Sequence, residues 1–152
     1  MLEPEICEAI RTKRVNDVFL PGFEIPAAVE PTTDLGAAVT GADIVLGVMP
    51  SAHARSTYTK ILPHVKPETT FVSATKGLDH ENLKRITEVI HEVCSTKFVP
   101  RVAALSGPSF AKEVAKGDPT AIVIASPDQE LARMVQEEFR SEERRVGKEC
   151  RL

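Results

Sequence analysis

Four short runs in this chain, Asp43–Val48, Thr70–Ala74, Val102–Leu105 and Ala121–Ala125, are built almost wholly from apolar or small residues. Segments with helical period lie between and after them. Strands that read apolar at nearly every position suit a sheet covered on both faces, and their alternation with helices is the pattern of βα units. The expected fold is therefore α/β, with βα units around a mainly parallel sheet.

The helical segments carry their own punctuation. Leu83, Ile86, Ile90 and Val93 recur at spacings of three and four, so one buried stripe is expected after Asp79. Ser126-Pro127-Asp128-Gln129 reads as an N-cap serine, a proline at the first helical position and a capping-box glutamine, ahead of Leu131, Met134, Val135 and Phe139. Ser51 is expected to cap a further helix whose inner face holds Ala54, Tyr58, Ile61 and Leu62. Ile6, Ala9 and Ile10 suggest another helix, followed by an irregular, proline-rich stretch from Asn16 to Thr33.

Composition narrows the function classes. With 152 residues, 42% hydrophobic and 27% charged, the chain is large enough to bury a core. A net charge of -3 offers no broad basic face for nucleic acid. No apolar run approaches the ~18 residues of a membrane span, and Met1-Leu2-Glu3-Pro4-Glu5 lacks the basic and apolar regions of a signal peptide. Cys7, Cys94 and Cys150 are odd in number and lack metal-type spacing, which fits reduced thiols in a cytoplasmic protein. No metal site is expected. The four histidines, His53, His64, His80 and His91, are scattered and read as surface imidazoles.

In open α/β sheets ligands bind at the carboxyl ends of the strands. Here those ends carry Met49-Pro50-Ser51, Thr75-Lys76-Gly77 and Ser106-Gly107-Pro108-Ser109. Glycine allows close backbone approach, and Lys76 would bring a fixed positive charge that holds a phosphate or polarises a carbonyl oxygen. The plainer alternatives are a solvated surface lysine and an ordinary Gly-Pro turn. None of the eight glycines forms a G-x-G, so the dinucleotide fingerprint and the P-loop are both missing from this stretch. Residue patterns alone reach a phosphate-friendly α/β domain.

Five segments in order, "FLPG" (Phe19–Gly22), "TTDL" (Thr32–Leu35), "GADIVLGVMPS" (Gly41–Ser51), "SATKGL" (Ser73–Leu78) and "LSGPSFAKEVAKGDPTAIVIAS" (Leu105–Ser126), resemble the bacterial NAD(P)-dependent glycerol-3-phosphate dehydrogenases. The resemblance implies reversible hydride transfer between NAD(P)H and dihydroxyacetone phosphate, giving sn-glycerol 3-phosphate for phospholipid synthesis. It implies that Lys76 touches both cofactor and substrate, and that Gly107 and Ser109 contact the substrate. It likewise puts Ala111 and Phe19 at the cofactor, NAD or NADP. Relatives begin with a strand and a glycine-rich turn and continue past Phe139 into a helical domain that carries the general-acid lysine, so no catalytic acid is expected here. Residues 1–139 are accordingly expected to form a partial NAD(P)-binding domain, inactive alone, whose doubly wound, mainly parallel Rossmann-like sheet lacks the first strand and the glycine-rich turn. From Arg140 the tail has eight charged residues in thirteen and reads as solvated or foreign sequence. The rival to a dehydrogenase fragment is a non-catalytic α/β module that binds a phosphorylated ligand or a partner chain.

Overall fold

A computed structural model describes residues 3–140; all of the expected tail except Arg140 lies outside the described residues. The chain runs through α1 (Pro4–Lys13), β1 (Val15–Asn16), β2 (Leu20–Glu24), α2 (Leu35–Val39), β3 (Ile44–Gly47), α3 (Ala54–Ile61), β4 (Thr70–Ser73), α4 (Ile86–Cys94), β5 (Arg101–Ser106), α5 (Ala111–Ala115), β6 (Val123–Ala125) and α6 (Gln129–Glu138). The sheet order is β3-β4-β5-β6. β3, β4 and β5 are parallel and β6 is antiparallel to β5, so the sheet is mainly parallel. The reversal at β6 follows from the connection before it. α5 has five residues and buries none of them, so it cannot act as the packed crossover helix that a parallel return needs.

Two apolar layers sandwich the sheet. On one side Phe71 and Val102 meet Tyr58 and Ile61 of α3 and Val89, Ile90 and Val93 of α4. On the other, Val72, Ala103 and Leu105 meet Leu131 and Val135 of α6. β4 is buried at all four positions because both layers press on it. The Tyr58 and Phe71 rings meet edge to face with centroids 6.2 Å apart. Coverage ends toward the edges: Leu46 in β3 and Val123 in β6, the latter 64% exposed, contact solvent. The expectation that every strand is covered on both faces therefore holds for β4 and fails at the margins.

Local signals were partly misassigned by sequence. Leu83 is not on the stripe of α4; it is 73% exposed, with φ +53°, in the loop before the helix. α4 starts at Ile86, where the Arg85 N–H donates to Glu88 Oε2 at 2.8 Å. The Arg85 guanidinium beside Glu88 holds its carboxyl at a pKa of about 2. α6 is capped by Asp128, whose Oδ1 accepts from the N–H groups of Glu130 and Leu131, rather than by Ser126. The Ser126 hydroxyl donates instead to Val102 O at 2.9 Å. Ser51 opens a 3₁₀ turn, Ser51–His53, and caps nothing with its side chain. The proline-rich stretch holds the β1–β2 hairpin. Arg14, at the left-handed end of α1, then ties down the loop after it by donating to the carbonyls of Ile25 and Val29 at 3.0 Å.

Gly47 faces Tyr58 so closely that an added Cβ would collide with the tyrosine hydroxyl and stand 3.1 Å from its Cζ. Burial pushes that hydroxyl to a pKa of about 12. Gly47→Ala is expected to destabilise the chain by about 1–3 kcal/mol through overpacking. Adding Tyr58→Phe should recover part of the loss, since it removes the colliding oxygen and leaves the ring. Urea midpoints of the two single variants and the double variant, followed by circular dichroism, check this coupling.

Candidate functional site

The parallel register sets the site. Ser73 of β4 lies opposite Ala104 of β5, so the chain leaves the two strands side by side and enters two turns that face each other. Thr75 closes the first turn onto the neighbouring strand, its hydroxyl donating to Gly47 O at 3.3 Å. The Ala74 N–H donates to the same carbonyl at 2.9 Å. Lys76 follows and projects across the strand ends, its Nζ donating to Ser106 Oγ at 3.3 Å. Both residues are exposed, so the ammonium stands at the mouth of the crevice with most of its hydration intact.

Glycines fix the backbone at both turns. Gly77 has φ +93°, and a Cβ there would stand 3.3 Å from Ser51 Oγ, which brings the turn after β3 against the turn after β4. Gly107 has φ +150°; a Cβ would collide with Ala121 O and lie 3.1 Å from Ile122 Cα. Such backbone favours glycine, and here the lack of a side chain also lets the strand leading into β6 pass across β5. Pro108, Ser109 and Phe110 continue outward, all exposed, to Ala111 at the start of α5.

The expected residues fall into two groupings. Lys76 and Gly107, with Ser109 beyond it, stand at the ends of β4 and β5. Phe19, 63% exposed in the turn between β1 and β2, and Ala111 form the other, since α5 lies beside β2. The Phe19 N–H donates to Asn16 Oδ1 at 3.1 Å, which shapes the turn that presents the ring. Ser106 was not singled out by sequence, although it is the residue that Lys76 meets. Its signal was a hydroxyl residue at the last position of an otherwise apolar strand, directly before Gly-Pro. Among the described residues no group of three or more His, Cys, Asp or Glu side chains is arranged to hold a metal ion. Likewise, no helix among them is long and apolar enough to cross a membrane.

Chemically, the two groupings bring the exposed Lys76 ammonium, hydroxyls at Ser106, Ser109 and Thr75, and exposed aromatic rings at Phe19 and Phe110, the latter 66% exposed. A dinucleotide cofactor needs flat apolar surface for its rings and cationic or N–H partners for its phosphates. The rings of Phe19 and Phe110, the small Ala111 and the Lys76 ammonium fit that need.

The matching family model and the curated relatives agree on one family. A family model described as "NAD-dependent glycerol-3-phosphate dehydrogenase N-terminus" matches residues 1–132. The chain is 55% identical over 137 residues to a glycerol-3-phosphate dehydrogenase [NAD(P)+] from Koribacter versatilis, covering 90% of this chain and 41% of that protein. A protein of the same description from Geobacter metallireducens is 42% identical, with 90% of this chain and 41% of that protein covered. Among solved structures, glycerol-3-phosphate dehydrogenase from Coxiella burnetii superposes with a TM-score of 0.77 at 28% identity, over 93% of this chain and 42% of that one. The chain thus spans about two fifths of the length of the curated relatives it matches.

Gly107→Ala is expected to cost about 1–3 kcal/mol and to loosen β6 first, because the new methyl strikes the segment that leads into it. Amide exchange at Ile124 should accelerate more than exchange at Val72. Equal acceleration at both would show that the glycine serves overall stability and not the β5–β6 junction.

Proposed function

The chain belongs to the NAD-dependent glycerol-3-phosphate dehydrogenase N-terminal family, and from that premise we propose that it supplies the cofactor-facing half of a site for reversible hydride transfer between NAD(P)H and dihydroxyacetone phosphate, with sn-glycerol 3-phosphate as the reduced product. The observation that carries the reading is the Lys76 ammonium reaching Ser106 across the carboxyl ends of two parallel strands. NAD or NADP supplies the hydride when bound. The chain's own residues bind and orient.

Lys76 has two tasks within reach of one flexible side chain. Its ammonium can pair with a phosphate oxygen, and it can stand beside the ketone oxygen, where negative charge grows as the carbonyl is reduced. Ser106 holds the ammonium toward the crevice until an anion replaces that weak contact. Gly107 lets the ligand approach the backbone, and Ser109 offers a hydroxyl to the same ligand. Phe19 and Ala111 border the cofactor, the ring by contact with a flat face and the methyl by leaving room. No general acid is assigned to this chain.

Dihydroxyacetone phosphate and unphosphorylated dihydroxyacetone separate charge recognition from shape. Calorimetric titration of the 152-residue chain should give heat with the phosphate ester and little with the ketone alone. Lys76→Ala should weaken the phosphate ester about tenfold or more, the size expected for one charge-assisted hydrogen bond. Added salt should weaken it in the wild type, because the pair is exposed. Equal affinity for the two ketones, or no effect of Lys76→Ala, would remove Lys76 from the site.

A second readout addresses turnover. Loss of NADH absorbance with dihydroxyacetone phosphate is expected to be absent for this chain alone. A rate that Lys76→Ala abolishes would instead place the whole reaction on these residues.

A further inference from the structure

Arg55 on α3 lies outside the crevice and yet grips the loop that carries Lys76. Its Nη2 donates to Asp79 Oδ2 and to Glu92 Oε2 of α4, each at 3.0 Å, and its Nε stands 3.9 Å from Glu81 Oε2. Lys84 Nζ donates to the same Glu92 oxygen at 3.0 Å. Asp79 is the unusual member, because it is only 4% exposed and carboxylates are rarely buried unless paired.

Asp79 stands three positions after Lys76 and two after Gly77. Its backbone closes the loop: the Asp79 N–H donates to Lys84 O at 2.8 Å, and the Leu83 N–H donates to Asp79 O at 2.9 Å. A lone bridge between Leu78 and Arg85 completes it. Within this loop Gly77 and Leu83 both adopt positive φ, a conformation that a free peptide seldom keeps. Leu78 and Leu83 are both exposed, so apolar burial at those two positions does little to hold it.

The two helices do not need the ion pair for their own seating. α3 is held to the sheet by Ala54, Tyr58 and Ile61, and α4 by Val89, Ile90 and Val93, all within the buried core. What the pair adds is a fixed origin for the loop relative to α3. From that origin the Lys76 side chain has a short arc to Ser106.

We propose that Arg55 and Asp79 are positioning residues for Lys76: their part-buried ion pair locks the 76–85 loop against α3, so that the backbone carrying the ammonium is fixed at the ends of β4 and β5. The inference rests on the reading of Lys76 as the anion-binding group. Pre-ordering of this kind lowers the cost of ligand capture without adding a ligand contact.

Residue-resolved amide exchange on the full chain tests the clamp in the wild type, Arg55→Ala, Arg55→Lys, Asp79→Asn and the Arg55→Ala/Asp79→Asn double variant. Exchange across residues 76–85 should rise about tenfold or more in each alanine or asparagine variant, while Val72 in β4 and Ile90 in α4 keep their protection. The double variant should add little to either single change, as coupled partners do. Arg55→Lys should fall between, because it keeps the charge and loses the planar fork. Titration with inorganic phosphate, read at the Gly77 amide, should show several-fold weaker binding in Arg55→Ala than in the wild type. Unchanged loop exchange, loss of protection in β4 and α4 together with the loop, or equal phosphate affinity would each overturn the proposal. A responsive loop in a chain that never binds phosphate would support the clamp and overturn the reading of Lys76.

Discussion

The parallel pairing of β4 with β5 sets where both site turns begin. Thr70 lies opposite Arg101, and the pairing runs on to Ser73 opposite Ala104, so the two strands hand their chains to adjacent turns at the same height. A slip of one residue in β4 would send Phe71 to the α6 side and Val72 to the side of α3 and α4. Both are fully buried in different layers, so the register is enforced by packing on two faces at once. The meeting of Lys76 with Ser106 is a product of that enforcement, several residues beyond the last paired position.

The same two-sided pressure explains which parts of the fold could be read from sequence. β4 and β5 stand out as apolar runs because they are pressed from above and below, and the inner faces of α3 and α6 stand out because their periodicity has a single partner to satisfy. Leu83 was misleading for a physical reason: it sits three residues before Ile86 and so imitates a helical stripe, while Glu88 starts the helix later by taking the Arg85 N–H. Ser126 and Asp128 are both good capping residues two positions apart, and only the demand of the Val102 carbonyl for a donor decides between them. The β1–β2 hairpin was hidden by Pro21 and Gly22, which read as breakers although β2 runs through them.

The site was legible to a different extent. Lys76 and Gly107 were visible as interruptions of apolar strands, because a cation or a bare backbone has no packing reason to be there. Phe19 and Ala111 came only with the family resemblance, since a phenylalanine in a loop and an alanine at a helix start are ordinary in themselves. Ser106 was legible only as part of the Ser106-Gly107-Pro108-Ser109 turn, and its contact with Lys76, like the Arg55–Asp79 pair, escaped both routes. The partners are 30 and 24 residues apart in sequence, and hydroxyl and charge contacts of that range leave no periodic trace.

Tyr58 carries one more consequence. It is the only tyrosine in a chain with no tryptophan, and its ring sits fully buried between α3 and the sheet, against Gly47 and Phe71. The intrinsic ultraviolet emission of the protein therefore arises mainly from a single point in its interior. The emission reports the docking of one helix on one strand edge, and events at the distant hairpin or at α5 pass unseen unless they move that helix.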